Sequence, residues 1–127
     1  MPRRRGRPKQ SERNQFTQED ERAWYRRGVE AYLDTSYRSG SRASASEFAQ
    51  KFDLAPATLT RAFKRLFGKT PIQYFRSQQL DYAAKLLRRS SRTVDDIAVI
   101  AGLGTRTTFY RLFTDQFGMT PEEYRRK

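Results

Sequence analysis

The chain has 127 residues, a formal net charge of +12, and neither cysteine nor histidine. A chain of this length forms one domain, or one domain with a tail. Without cysteine there is no disulfide framework, and without histidine the commonest general base and metal ligand are missing. We therefore expect no enzyme activity, no metal and no cofactor. The positive charge is typical of proteins that bind phosphate, and because no segment is apolar enough to span a membrane, we expect no membrane partner.

The N-terminal residues are strongly basic. Residues 1–13 contain six arginine or lysine residues and one glutamate, which together supply five of the twelve net positive charges. This composition predicts a solvated, disordered arm over residues 1–15.

Four residues of the arm, Arg5, Gly6, Arg7 and Pro8, match the core of an AT-hook. In that motif two arginines lie along a narrow A·T minor groove, and glycine permits close approach of the backbone. Four residues are easily matched by chance in an arginine-rich tail, so a nonspecific phosphate-binding arm is an equal alternative. In either case, each phosphate neutralised steepens the salt dependence of DNA binding by about 0.9 in slope.

After the arm, the sequence predicts helices only, because almost no segment alternates with period two. The first helix is predicted over residues 18–35, after Thr17, which can cap the first turn together with Asp20. A loop follows, and Ser44 with Glu47 predicts a capping box that opens a short second helix.

Proline and glycine delimit the third and fourth helices. Pro56 stands at the first position of the third helix, where its missing N–H costs nothing, and Gly68 follows the last residue, Phe67. Pro71 opens a long fourth helix that is predicted to run to about residue 89.

The same signals then return in the rest of the chain. Thr93 is predicted to form a capping box with Asp96 at the start of the fifth helix. Thr105 is predicted to cap the sixth helix, which ends at Phe117. Pro121 opens a short final helix.

Acidic pairs stand in the first turns of several predicted helices, among them Asp95-Asp96 and Glu122-Glu123. Such pairs are candidates for metal ligands or for acid–base catalysis. Because the helix dipole favours negative charge at these positions in any helix, we assign them no functional role.

The chain repeats itself at an offset of about fifty residues. Residues 67–76 return as residues 117–126 with six of ten positions identical. Because internal repeats define the architecture, we predict an all-α fold with two helix-turn-helix subdomains. These cover about residues 16–70 and 91–127, joined by a linker helix over about residues 71–90.

The third and sixth helices carry the candidate binding surface. At about 100° per residue, their large apolar side chains fill one arc and face the core, while polar and basic side chains fill the opposite arc. The outward residues are Ala57, Thr60, Arg61, Lys64 and Arg65 in the third helix, and Thr107, Tyr110, Arg111 and Thr114 in the sixth, with Arg106 in its first turn. Basic residues face outward on any amphipathic surface helix, but Arg61 and Arg111 occupy the same position in both copies. This favours helices that read a DNA major groove, where arginine can bind guanine through two hydrogen bonds.

From about Val29 to Arg125 the sequence resembles the AraC/XylS-type DNA-binding domain. The residues that carry the resemblance in the second copy are Ile97-Ala98, Gly102, Phe109, Arg111, Phe113, Gly118, Pro121 and Tyr124-Arg125. The resemblance implies seven helices in two helix-turn-helix subdomains. It also implies that the two recognition helices enter adjacent major-groove segments on one face of double-stranded DNA.

The resemblance further implies which residues touch the bases. These positions are Ala57, Thr60 and Arg61 in the first copy, and Arg106, Thr107, Tyr110 and Arg111 in the second. In addition, we expect Lys64, Arg65 and Thr114 to contact phosphates.

The sequence departs from the family pattern at several positions, of which one concerns a helix cap and another a structural contact of the long helix. Ala55 stands where the family usually has a capping serine, and Gln79 stands where the long helix usually carries arginine. The chain looks like the single-domain branch, similar to the multiple-antibiotic-resistance and superoxide-response activators, which act as monomers. This implies a transcriptional activator that binds DNA as a monomer, also touches RNA polymerase, and is located in the cytoplasm in association with the nucleoid.

Two other functions stay open. An architectural, nucleoid-associated protein led by the arm would bind A·T-rich DNA with little sequence demand. A DNA-binding module normally fused to an enzyme is the third reading, as in some DNA-repair regulators that share this domain, although no catalytic residues support it. Deletion of residues 1–13 separates the specific regulator from the architectural protein, because only a specific regulator keeps its site preference without the arm.

Overall fold

The computed structural model describes residues 17–127, so the predictions for the arm, including Arg5, Gly6, Arg7 and Pro8, lie outside the described residues. Within residues 17–127 there are seven α-helices and no strand, which confirms the predicted all-α fold. None of these helices combines the length and apolarity that a membrane crossing requires. The helices are α1 Gln18–Ser39, α2 Ala45–Lys51, α3 Pro56–Phe67, α4 Pro71–Arg89, α5 Val94–Ile100, α6 Arg106–Phe117 and α7 Pro121–Arg126.

Side-chain caps begin the first and last of these helices. At the start of α1, the Thr17 amide donates to Asp20 Oδ2 at 3.1 Å and the Asp20 amide donates to Thr17 Oγ1 at 3.0 Å. A reciprocal capping box joins Thr120 and Glu123 at the start of α7. There the hydrogen bond from the Thr120 backbone amide, at 2.8 Å, lowers the pKa of the Glu123 carboxyl. Local sequence signals are therefore sufficient to position these helix starts.

The predicted capping box at Ser44 is only half correct. The Ser44 hydroxyl accepts from the Glu47 amide at 3.1 Å, as expected. The reciprocal partner is Tyr32 on α1, whose hydroxyl accepts from the Ser44 amide at 2.9 Å and donates to Glu47 Oε1 at 2.6 Å. Burial and the bond to Glu47 raise the pKa of Tyr32, so the phenol stays protonated and keeps α1 and the start of α2 together.

The first helix is longer than predicted, because α1 ends at Ser39 and not at residue 35. Two residues of the extra turn have tertiary contacts that the local pattern does not contain. Ser36 is buried, and the Tyr37 ring stacks on the ring of Tyr82 on α4, with 4.1 Å between centroids and 9° between planes. Packing therefore extends this helix past its predicted end at residue 35.

The described residues form two compact units. The first comprises residues 17–35 and 43–74, and the second comprises residues 36–42 and 75–127. The second unit has a core of buried residues from α4, α5, the following turn and α6. Most of α4, predicted as a linker, thus belongs to the second unit and contributes Leu80 and Leu87 to its core.

The sequence repeat is also a structural repeat. In the first unit, Phe63 is fully buried and meets Tyr74 edge-on, with centroids 5.4 Å apart. In the second unit, Phe113 is fully buried and meets Tyr124 edge-on at the same 5.4 Å. Burial of one such phenylalanine stabilises a fold by roughly 1.5–3 kcal/mol. The same aromatic pair therefore holds α3 in one unit and α6 in the other.

Candidate nucleic-acid interface

Each unit contains a tight turn between two helices, with the same backbone geometry. Between α2 and α3, Asp53 has a positive φ of 59° and the Leu54 amide donates to the Ala49 carbonyl at 2.8 Å. Between α5 and α6, Gly102 has φ 75° and the Leu103 amide donates to the Ala98 carbonyl at 2.9 Å. These left-handed residues terminate the preceding helix and turn the chain sharply. Leu54 and Leu103 are buried, which anchors each turn to its core.

The helices that follow the two turns begin differently. Ala55 has the extended backbone of an N-cap, φ −70° and ψ 139°, but no side-chain cap. Thr105 has a similar backbone, and its hydroxyl accepts from the Thr108 amide at 3.3 Å. The departure at Ala55 thus leaves α3 with only Pro56 to favour its start, whereas α6 has a capping side chain.

The residues of α3 that face outward in the structure are the predicted ones. Its buried residues are Leu59, Ala62, Phe63 and Leu66, and the five residues predicted to face outward are all exposed: Ala57, Thr60, Arg61, Lys64 and Arg65. The helix therefore presents a polar strip in which the methyl group of Ala57 and the hydroxyl of Thr60 lie beside three cations.

One of the α3 cations is held inside its own unit. The Arg65 guanidinium donates to both oxygens of the Glu21 carboxylate on α1, at 3.1 and 3.2 Å. This bidentate bond raises the pKa of Arg65 and keeps its charge permanently in place. Glu21 also neutralises part of that charge, so Arg61 and Lys64 are the less restrained basic groups of this face.

The outer face of α6 is similar in composition and different in detail. Phe109 and Phe113 are buried, whereas Thr107, Arg111 and Thr114 are exposed. Tyr110 is half-buried, and Arg106 lies in the first turn. The predicted residues of α6 therefore share one exposed face, with Tyr110 at its edge.

Arg106 and Tyr110 are the centre of a polar network that we call the Arg106 network, formed by Arg106, Tyr110, Asp95 and Glu122. Arg106 Nη1 donates to Asp95 Oδ1 on α5 at 3.0 Å. Arg106 Nη2 donates to the Tyr110 hydroxyl at 3.0 Å and to Glu122 Oε2 on α7 at 3.4 Å. The Tyr110 hydroxyl also donates to Glu122 Oε2, and the Arg106 guanidinium lies 4.9 Å from the centre of the Tyr110 ring.

Sequence reasoning missed the roles of Asp95 and Glu122. Both stand in first turns, where the helix dipole by itself favours an acidic residue. The spacing of Arg106 and Tyr110, four residues apart on one helix, predicts that these two side chains meet. The two carboxylates come from other helices, so only packing brings them to Arg106. Within residues 17–127, no group of three or more acidic side chains is arranged to hold a metal ion.

Comparison with known proteins identifies the domain. Residues 48–127 match the family described as "Helix-turn-helix domain". The chain is 35% identical over 80 residues to the HTH-type transcriptional activator RhaR of Mannheimia succiniciproducens, which is 63% of this chain and 29% of that protein. It is 39% identical over 77 residues to the HTH-type transcriptional activator RhaS of Citrobacter koseri, which is 61% of this chain and 28% of that protein. The chain thus matches less than a third of the length of these relatives.

Solved structures have the same fold. An AraC-type transcriptional regulator from Chromobacterium violaceum superposes with a TM-score of 0.70 at 22% identity, covering 82% of this chain and 94% of that one. The DNA-binding domain of AdpA, a global transcriptional factor solved in complex with a target DNA, superposes with a TM-score of 0.67 at 23% identity, covering 77% and 89%. With a family match over residues 48–127 and this shared fold, the chain belongs to the AraC-type helix-turn-helix family of DNA-binding domains.

Proposed function

We propose that the protein is a sequence-specific regulator of transcription that binds double-stranded DNA through α3 and α6. The observation that carries the proposal is the repeated exposed strip on the second helix of each helix-turn-helix. In both units a buried phenylalanine fixes the helix to the core, and an arginine two residues before it, Arg61 or Arg111, is exposed. An exposed helix held by a tight turn is the element that helix-turn-helix proteins insert into a major groove.

The exposed residues divide by chemistry into base-reading and phosphate-binding groups. Arginine binds guanine through two hydrogen bonds, and the methyl groups of alanine and threonine contact the thymine methyl. We therefore assign base contacts to Ala57, Thr60, Arg61, Arg106, Thr107, Tyr110 and Arg111, and phosphate contacts to Lys64, Arg65 and Thr114. Because Glu21 already binds the Arg65 guanidinium, Lys64 contributes more to phosphate affinity than Arg65 in this proposal.

Activation of transcription is proposed from the relatives. RhaR and RhaS are HTH-type transcriptional activators, and they are 35% and 39% identical to this chain over 80 and 77 residues. From the family resemblance we further propose that this protein contacts RNA polymerase while it is bound to DNA as a monomer. Its place of action is then the cytoplasm, on the nucleoid.

An architectural role on A·T-rich DNA is the second candidate function. It is favoured by the basic segment over residues 1–13, which contains Arg5, Gly6, Arg7 and Pro8 in the order of an AT-hook core. In that case affinity would come from the arm, and α3 and α6 would act as a clamp with little sequence preference.

Selection of binding sites from a random duplex pool at physiological salt tests the proposal. Two short conserved blocks about one helical turn apart, roughly 10 base pairs, are expected if α3 and α6 each read a major-groove segment. The selection is repeated with a chain that lacks residues 1–13. Retention of both blocks supports the regulator. Enrichment of A·T tracts without blocks, lost when the arm is removed, would show that the architectural function is correct.

A further inference from the structure

We propose that Asp95 and Glu122 are positioning residues that set the sequence specificity of α6. They hold Arg106 and Tyr110 in one arrangement on the proposed DNA-reading face, and their negative charges oppose binding to DNA of the wrong sequence. This inference rests on the proposed function, because it assigns to α6 a base-reading role. Neither carboxylate touches DNA in the proposal, and each affects base preference only through Arg106.

The two carboxylates hold Arg106 from different helices. Asp95 binds Nη1 from α5, and Glu122 binds Nη2 from α7, while Tyr110 bonds to both Arg106 and Glu122. A free arginine has many rotamers and loses that freedom when it binds a base. An arginine already restrained by two partners loses less on binding, and its planar set of donors stays aimed in one direction.

The network is exposed enough to exchange partners with DNA. The side chains of Arg106 and Asp95 are 56% and 62% exposed, and that of Glu122 is 39% exposed. Exposed ion pairs contribute little to stability, so guanine can replace one carboxylate without a large loss. Arg106 also carries five N–H donors, so one pair can remain while another is formed.

The carboxylates also act on DNA directly by repulsion. Asp95 and Glu122 lie within hydrogen-bonding distance of a residue proposed to enter the groove, so they come close to phosphates whatever the sequence. This repulsion is the same for every sequence, so it lowers affinity for all duplexes, and only a base that binds Arg106 offsets it. Specificity commonly combines such a repulsive element with an attractive one.

The first unit has no equivalent of this network. At the matching positions it has Ser46, Pro56, Thr60 and Ile72 in place of Asp95, Arg106, Tyr110 and Glu122. A general requirement of the fold would place charged partners in both units, because α3 and α6 otherwise share their turn and their aromatic anchor. The network is therefore a feature of the second reading helix alone.

The test compares D95N/E122Q with the wild-type protein on the duplex selected by the wild type and on a scrambled duplex. The double variant is expected to bind the scrambled duplex more tightly, because two negative charges are removed. Its preference for the selected duplex should fall about tenfold, the loss of roughly one well-oriented arginine–base contact. Repeated selection should show that base preference is lost in one block only.

Two variants with the same type of charge change serve as controls. D96N removes the neighbouring exposed carboxylate of α5, and D115N removes an exposed carboxylate of α6. Both should tighten binding to the two duplexes alike and leave their ratio unchanged. In an R106A background, D95N/E122Q should no longer alter the ratio, because the carboxylates act through Arg106. Thermal unfolding of each variant checks that the domain is intact.

The outcomes separate this inference from the proposed function. If the wild-type protein selects no motif, the proposed function fails, and the inference fails with it before any variant is compared. If the wild type selects two blocks and D95N/E122Q keeps the same ratio and the same base preferences, the proposed function stands and the inference is overturned. A change of ratio that persists in the R106A background also overturns it.

Discussion

Arg61 and Arg111 are the residues whose exchange should test base reading most directly. They occupy matching positions of α3 and α6, and both are exposed. We expect R61A and R111A each to weaken binding to the selected duplex by about 1–3 kcal/mol, and each to relax the base preference in its own block. Competition binding with single-base variants of the duplex measures both effects.

A cation elsewhere on the surface is the control for these two arginines. Arg38 is exposed in the last turn of α1, and R38A removes the same charge without touching α3 or α6. It should lower affinity for all duplexes slightly and equally. If R61A and R111A behave like R38A, these arginines contribute charge only and do not read bases.

Gly102 is expected to be more sensitive to substitution than Gly104, two residues later. Both have positive φ, 75° and 81°, which costs a non-glycine residue about 1–2 kcal/mol. A Cβ on Gly102 would also lie 3.1 Å from Nε2 of the buried Gln79, whereas a Cβ on Gly104 would meet nothing within 4 Å. G104A should therefore show the backbone cost alone, and G102A should be less stable still. Urea unfolding of the two variants measures the difference, and equal losses would show that Gln79 moves aside freely.

At the level of the helix, substitutions at the N-cap positions of α3 and α6 should have opposite effects on the stability of the domain. Ala55 has cap geometry without a capping side chain, and Thr105 has both. A55S should stabilise the domain by about 1 kcal/mol, because serine can accept from a free amide of the first turn, and T105A should destabilise it by a similar amount. Chemical denaturation gives both values.

A57S provides the matched control for A55S. It makes the same alanine-to-serine change on α3, but inside the helix, where serine is the poorer helix former by a few tenths of a kcal/mol. It should therefore lower stability slightly. An A55S variant no more stable than A57S would mean that α3 gains nothing from a side-chain cap.

At the level of the whole molecule, net charge makes a prediction about salt. Of the twelve net positive charges, residues 1–13 carry five. Deletion of these residues should reduce the slope of log affinity against log salt concentration by about 0.9 for each phosphate the arm neutralises. Titration of the selected duplex at several salt concentrations measures the slope for the intact and shortened chains. An unchanged slope would mean that the arm does not contact phosphates in the complex.

A charge-preserving variant separates the two possible roles of the arm. G6A/P8A keeps every basic residue but removes the glycine and proline of the AT-hook match. If the arm binds phosphates only, this variant should bind with the salt slope of the intact chain and should show no preference for particular base pairs beside the selected blocks. An arm that reads the minor groove should lose preference for A·T pairs beside the selected blocks, because the backbone can no longer approach closely.

The sequence by itself determined the features that depend on neighbours within about four residues. The bounds of α3, α4 and α6 were predictable from proline, glycine and capping residues, because these act on the adjacent turn. Helical periodicity determined which residues of α3 and α6 face outward. The repeat determined that the architecture consists of two copies of one helical pattern, because both copies must bury the same aromatic positions.

Only the tertiary structure decided the partners that lie far apart in the chain. Tyr37 extends α1 because it stacks on Tyr82, and Tyr32 takes over half of the cap at Ser44. Arg106 obtains its two carboxylates from α5 and α7 in the same way. A sequence pattern shows which charges and rings are available, but packing selects which of them meet, since that choice depends on the positions of whole helices.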